Sequence, residues 1–441
     1  MGADIASGPV VVIELGLDRG EPETYSRPGR RTTPLWLGPA LVALAVLFGA
    51  VASAPPPGPP IREVFRVPIG PGDPYALTDD GRLLLQSAGM LTSYRLADGE
   101  PVWRVGQNIP VYRLRTGNDM LLLRPRAANR AAEPGTTALS LRTGAREWRH
   151  DREVVSFPGI PLMFAVDAVR SLSSSRRVQN TVEAIDPDAG LPRWRVEVPS
   201  TAVLIPVPGV SDSLSRMLLI RDDRTADLYD MQSGAHLAGR ALPAAGYDPE
   251  NPVVAGGVVL LRHPGPDGMA VTAYDPVDMR QIWSRPFHRT RAIRVCGDLA
   301  CLIGVDGVRA VEPFTGDEKW SQPGWTGVET YGSRLVAYGS PGGDDPIAVA
   351  DTATGRPVVD LGGWRPVSGD PGHGEMLLTR MAGDGTRTMV AVVAPGAARP
   401  RLVAELPQGT GECRAAPSRL ICRSMYGELV VGEYLTTAGA G

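Results

Sequence analysis

The eleven residues from Ala310 to Trp320, AVEPFTGDEKW, govern the reading of the whole chain, because their plan returns along it. ADGEPVW ends at Trp103, RTGAREW at Trp148, DAGLPRW at Trp194, VDMRQIW at Trp283 and FTGDEKW at Trp320. Gly99, Gly144, Gly190 and Gly316 each stand four residues before a tryptophan, and Met279 takes that place before Trp283. Two weaker copies, QSGAHLA around Gly234 and ATGRPVV around Gly355, keep the glycine and lose the indole. Successive turns lie 45, 46, 44, 45, 37 and 39 residues apart, and an eighth, degenerate copy runs from Met389 to Leu406 around Pro395-Gly396. An acid recurs four residues ahead of the glycine position at Asp186, Asp230, Asp275, Glu312 and Asp351, while Arg95 and Ser140 depart from this.

Alternating apolar runs precede the turns, as in VTAYDP (271–276) and VRAVEP (308–313), and an earlier apolar strand stands in each unit, as in RMLLIR (216–221). Four short strands per unit of this length predict an all-β propeller of four-stranded blades. A single meander cannot bury two apolar faces, whereas blades stacked around an axis bury both and protect their edges. The glycine supplies a left-handed turn between third and fourth strands, and the indole, with ~200 Å² of surface, seals one blade against the next. The last unit (GECRAAP, RLICRS, GELVVGEYL) offers three strands, and IREVFRVP (61–68) reads as an orphan fourth that would fasten the ring. Counted strictly, eight units plus this composite favour nine blades.

The pattern A-x-D-x-x-T-G-x-x-x-W, nearest in Ala310 to Trp320, resembles the repeat of PQQ-like β-propellers, and the resemblance extends over residues 61–436. That family includes quinoprotein alcohol dehydrogenases and the outer-membrane assembly lipoprotein. The resemblance implies the fold and favours eight blades or sometimes seven, so eight are expected with seven and nine as the alternatives. It leaves function open, because the matching residues are structural.

Ahead of the repeats, Leu35 to Ala54 (LWLGPALVALAVLFGAVASA) carries no charge. Twenty residues at ~1.5 Å each span the ~30 Å hydrocarbon core. Arg27, Arg30 and Arg31 precede this run and PPPGPP (55–60) follows it. The asymmetry predicts a single transmembrane signal-anchor helix at 34–54, with a cytoplasmic tail at 1–33 and the propeller outside. A cleaved signal peptide is the rival, since Ala52-Ser53-Ala54 is an A-x-A site. Pro55 directly after the cut and the long preceding tail weigh against cleavage. Residues 55–60 are a stiff spacer.

Fifty-two glycines and 42 prolines, about a fifth of the chain, exclude a coiled coil or helical solenoid. The net charge of −3, without any basic face, excludes nucleic-acid binding as a leading role. Four cysteines lie beyond the apolar span, and each pair flanks a turn between the first two strands of its unit. An oxidising compartment favours disulfides, and Cys296–Cys301 with Cys413–Cys422 is the pairing chosen among the three connectivities. Zinc ligation lacks its C-x-x-C spacing. The recurrent acids suit turn capping better than a carboxylate reaction centre. The five histidines follow no pattern, with His150 and His288 read as exposed loop residues after fourth strands. No catalytic, cofactor-binding or metal-binding residue is assigned.

Two function classes follow. The first is a membrane-anchored, extracytoplasmic binding or scaffold module without catalysis, its partners the bilayer and an envelope protein or glycan. The second is a quinone-dependent dehydrogenase, which the family resemblance would equip with an adjacent cysteine pair, a catalytic aspartate, calcium and large loop insertions. This chain has no adjacent cysteines, and its longer inserts, about Arg126–Gly135 and Ser171–Gln179, are short and polar. A sensor signalling inward through Met1–Thr33 rests on topology alone.

Overall fold

A computed structural model describes residues 61–434 apart from 108–110, 126–134, 158, 172–175, 209–213, 243–251, 340–344 and 384. The expectations for the tail at 1–33, the span at 34–54 and the spacer at 55–60 lie outside the described residues. Among the described residues no helix is long and apolar enough to cross a membrane, and every regular element is a strand.

The strands form antiparallel meanders, each a blade. Blade 1 covers Tyr75–Gly106, blade 2 Val111–His150, blade 5 Val253–Pro286, blade 6 Thr290–Gln322, blade 7 Gly327–Asp360 and blade 8 Arg365–Leu406. Blades 3 and 4 share the 17-residue strand Pro192–Pro208, whose first part closes blade 3 (from Glu153) and whose second part opens blade 4 (to Ala241). They merge because the hairpin of Met163–Ser171 and Arg176–Ile185 outgrows its own blade, so that Val178 pairs with Ala202. Of the polar insert expected at Ser171–Gln179, the described residues, Ser171 and 176–179, are strand. Blade 9 is composite: Ile61–Pro68 pairs with Glu428–Tyr434 as its outermost strand, from Ile61 opposite Tyr434 to Pro68 opposite Glu428. There are eight hydrogen-bonded sheets, but among the described residues they contain nine four-stranded blades. The expectation of eight blades is corrected accordingly, since the composite adds one to the eight internal copies.

Second strands read as unbroken apolar runs because alternate residues face different neighbours. In Arg82–Ser87, Leu83 and Leu85 join blade 9's Ile421 and Val431, while Leu84 joins blade 2's Leu121 and Leu123. All of these leucines are fully or almost fully buried, and each such side chain contributes roughly 1.5–3 kcal/mol. Nine apolar layers of this kind separate successive blades, and the layer between blades 9 and 1 closes the ring.

At the outer part of several layers an indole lies on the glycine turn of the following blade. A Cβ on Gly144 would stand 2.5 Å from Trp103, on Gly190 2.5 Å from Trp148, on Gly234 2.7 Å from Trp194, on Gly316 3.0 Å from Trp283 and on Gly355 2.5 Å from Trp320. Each of these glycines has φ between 65° and 72°, so conformation and space both demand the missing side chain. Blade 4 has Ala238 where the indole would be. The next turn then carries Met279 at φ 57°, fully buried in the cluster against which that alanine packs. The thioether fills from one side the volume that an indole fills from the other. In blade 9 Phe65 takes the indole's place, within 2.4 Å of a Cβ on Gly99.

Gly396 provides a control, with φ 75° and no atom within 4 Å of a Cβ. Gly396→Ala is expected to lose only ~1–2 kcal/mol for its left-handed backbone, whereas Gly355→Ala must also displace Trp320 and lose clearly more. Trp320→Ala should lose ~3–5 kcal/mol. Urea midpoints of the three variants test the order.

Candidate functional site

The repeat residues build a second feature beside the indole seat. Each indole Nε1 donates to a carbonyl of the following blade: Trp103 to Leu141 at 2.8 Å, Trp148 to Pro187 at 2.6 Å, Trp194 to Met231 at 2.9 Å, Trp283 to Pro313 at 2.8 Å and Trp320 to Thr352 at 3.1 Å. Each acceptor directly follows the recurrent acid position. The buried indole thus keeps a hydrogen bond that desolvation would otherwise strip.

The recurrent acids hold the turns. Asp186 accepts from the N–H groups of Asp188 and Ala189, Asp275 from Val277, and Glu312 from Phe314 and Thr315. Asp230 accepts from the N–H and hydroxyl of Ser233, and Asp351 from those of Thr354. The Ser233 hydroxyl and then its N–H hold the Asp230 carboxyl below its ordinary range, and Thr354 does the same for Asp351. These carboxylates sit one per blade and do not converge.

Cys296 is joined to Cys301 and Cys413 to Cys422, each bond linking the first strand of its blade to the second. Cys296 and Cys301 are buried in the layer between blades 6 and 7. Among the described residues no three His, Cys, Asp or Glu side chains converge as metal ligands. Asp345, from the acidic turn GGDDP, pairs with Arg365.

Several buried carboxylates escaped the sequence reading. Glu153 meets Arg124 at 2.6 Å and Arg115 at 3.7 Å, and Glu183 meets Arg152, with Arg195 and His150 each 3.5 Å away. Asp227 meets Arg221 at 2.8 Å and His236 at 3.2 Å. His150 ends a strand and faces Glu183 rather than lying on an exposed loop, a correction forced by the packing of blade 2 on blade 3. No spacing in the chain announces these pairs, because their partners come from different strands.

A cleft of about 630 Å³ opens among blades 7, 8 and 9 and is lined by Asp345, Ile347, Gly362, Arg365, Met381 and Glu412, among others. It lies beside an irregular first strand. In blade 8 that strand is only Arg365–Pro366, after which Ser368–Gly369 crosses to pair in parallel with Arg414–Ala415 of blade 9. Gly369 permits the crossing, since a Cβ there would stand 2.1 Å from the Ala415 carbonyl oxygen. Two hydroxyls secure it: Tyr331 donates to the strap at Val367 or Gly369, and Tyr434 donates to Pro371 at 2.8 Å. Burial, then the nearby Asp370 charge, pushes the Tyr331 hydroxyl up to about 12.

Residues 178–323, from the third strand of blade 3 to the end of blade 6, match the family model described as outer membrane protein assembly factor BamB. Over that stretch this β-propeller carries the PQQ-like repeat. Among solved structures, BamB from Moraxella catarrhalis is similar at 15% identity and a TM-score of 0.39, covering 85% of this chain and 100% of that one. A eukaryotic initiation factor shares 10% identity at a TM-score of 0.50, over 82% of the propeller chain and 93% of its own. A europium-containing methanol dehydrogenase shares 11% at 0.37, over 73% and 72%. Likeness at these identities bears on the fold alone. No curated protein matches the sequence.

The turn carboxylates give this β-propeller a defined acid response. A group ionised more readily when folded contributes stability above its ordinary value, ~3.9 for aspartate, and loses it as pH falls through the lowered one. Stability should therefore hold from pH 7 to 5 and fall below about pH 4. Asp230→Asn with Asp351→Asn, which keeps an acceptor oxygen and removes the titration, should flatten that fall in melting curves taken between pH 3 and 6.

Proposed function

We propose that this PQQ-like β-propeller is a binding or scaffold module that carries out no reaction, held at a membrane by residues 34–54 with the ring on the extracytoplasmic side. One observation carries the non-catalytic reading. The acids and tryptophans of the repeat, the residue types most suggestive of chemistry, hold backbone N–H and carbonyl groups in place, one per blade. The description of the matching family model as an assembly factor, a role exercised through contact, supports the same reading. The uncharged run Leu35–Ala54 behind Arg27, Arg30 and Arg31 supports the anchoring.

The quinone-dependent alternative has a direct test. The purified chain is incubated with pyrroloquinoline quinone and calcium, gel-filtered, and assayed for alcohol-dependent dye reduction. The expected result is no retained quinone and no reduction above the buffer rate; stoichiometric retention or turnover would sink the proposal. For the anchor, removal of residues 1–54 is expected to move the protein from the membrane pellet to the supernatant, and a variant that still sediments with membranes would refute it.

A further inference from the structure

In blade 8 the inner sheet edge is incomplete. The second strands of blades 6, 7 and 9 are covered by their first strands to the cleft-side end, with Thr290 opposite Gly304, Gly327 opposite Tyr338 and Thr410 opposite Ser424. In blade 8 the second strand runs from Met376 to Met381, yet its inner partner reaches only Thr379 through Arg365. In continuing register, Trp364 and Gly363 would oppose Arg380 and Met381. Instead the chain turns away there: Gly362 and Gly363 have φ of 51° and 86°, Trp364 N donates to Leu361 O, and the Trp364 indole is buried between blades 7 and 8. Among the described residues, no strand pairs with Arg380 and Met381 on the side of the axis. The cleft of about 630 Å³ occupies that place.

We infer that this cleft takes an extended, uncharged peptide segment of a partner protein, which adds the missing part of the first strand of blade 8. Pairing along an open strand edge supplies main-chain hydrogen bonds that need no particular side chain. The walls indicate an uncharged occupant, because their charges are already engaged. Arg365 pairs with Asp345, Arg380 lies 4.5 Å above Trp364, Asp360 accepts from Gly362 N at 3.0 Å, and Glu412 meets Arg423 at 3.2 Å. Apolar surface continues beside the edge. Met381 is 58% exposed, and Met425 and Tyr426 of blade 9 stand 73% and 70% exposed. Met425 packs on Gly409, next to Thr410, whose carbonyl accepts from Thr388 on the cleft wall. The ring's own ends, Ile61 and Tyr434, lie at the opposite end of blade 9 from Thr410 and Glu428, which favours a strand from another chain.

This inference rests on the binding-module reading but is tested separately from it, since quinone retention has no bearing on strand pairing. The probe is a fluorescein-labelled, acetylated and amidated hexapeptide of alternating threonine and valine, titrated into the full-length chain and followed by anisotropy. A second peptide carries N-methyl groups on alternate backbone nitrogens. The inference expects saturable binding of the first peptide and roughly two- to tenfold weaker binding of the second, from loss of the one hydrogen bond that the peptide donates to the Met381 carbonyl. It also expects slowed deuterium uptake in residues 376–382. Met381→Asp, at an exposed position, should bind the first peptide several-fold more weakly with its melting curve unchanged. The inference is overturned by absent or unsaturable binding, by equal binding of both peptides, by protection confined to outer strands such as His236–Ala241, or by undiminished binding to Met381→Asp.

Discussion

An indole seated on a bare backbone turn is the contact on which the ring depends. The seat is available only to a residue without a side chain, and that residue must also adopt a backbone conformation other residues resist. Trp320 over Gly355 shows the arrangement, with Nε1 bonded to Thr352 O in the same turn. Blade 4 keeps the filled volume by a reciprocal exchange, Ala238 facing Met279. What is maintained from blade 9 round to blade 7 is the filling of the seam, and tryptophan is its commonest filler.

The architecture was legible because this contact leaves a mark at fixed spacing: a glycine, then an aromatic ring four residues later. The composite blade was also legible, since Ile61–Pro68 had no partners nearby in the chain and the last unit lacked one strand. Phe65 as the ninth seal was not, because it has no glycine four residues before it. The blade count slipped because the family resemblance, which favours eight, was set above the repeats themselves, whose eight units plus the composite make nine. The buried pairs around Glu153, Glu183 and Asp227 and the strap at Ser368–Gly369 are long-range products of packing, with no local pattern to reveal them.

The same physics explains why so regular a repeat says little about function. Residues fixed by the repeat already have partners, so any specific recognition must come from departures from it. Blades 7 to 9 concentrate such departures. Val359 stands where blade 7 would carry an indole, Gly396 has no neighbour over it, the first strand of blade 8 is cut to two residues, and a parallel crossing replaces it. Evolution can alter this sector with little damage to the seams elsewhere, because each blade touches only its two neighbours.

The composite blade also imposes an order on biogenesis. Arg62 and Glu433 are paired although 371 positions separate them, so the earliest part of the domain to leave the ribosome waits, edge bare, for the last. Until synthesis ends, the flanks of the growing arc, Leu83 and Leu85 at one side and the newest blade at the other, remain open to water and to any passing β-edge. A chain broken off early would keep its local meanders yet never acquire the clasp, which makes premature termination a route to aggregation and not merely to a shorter protein.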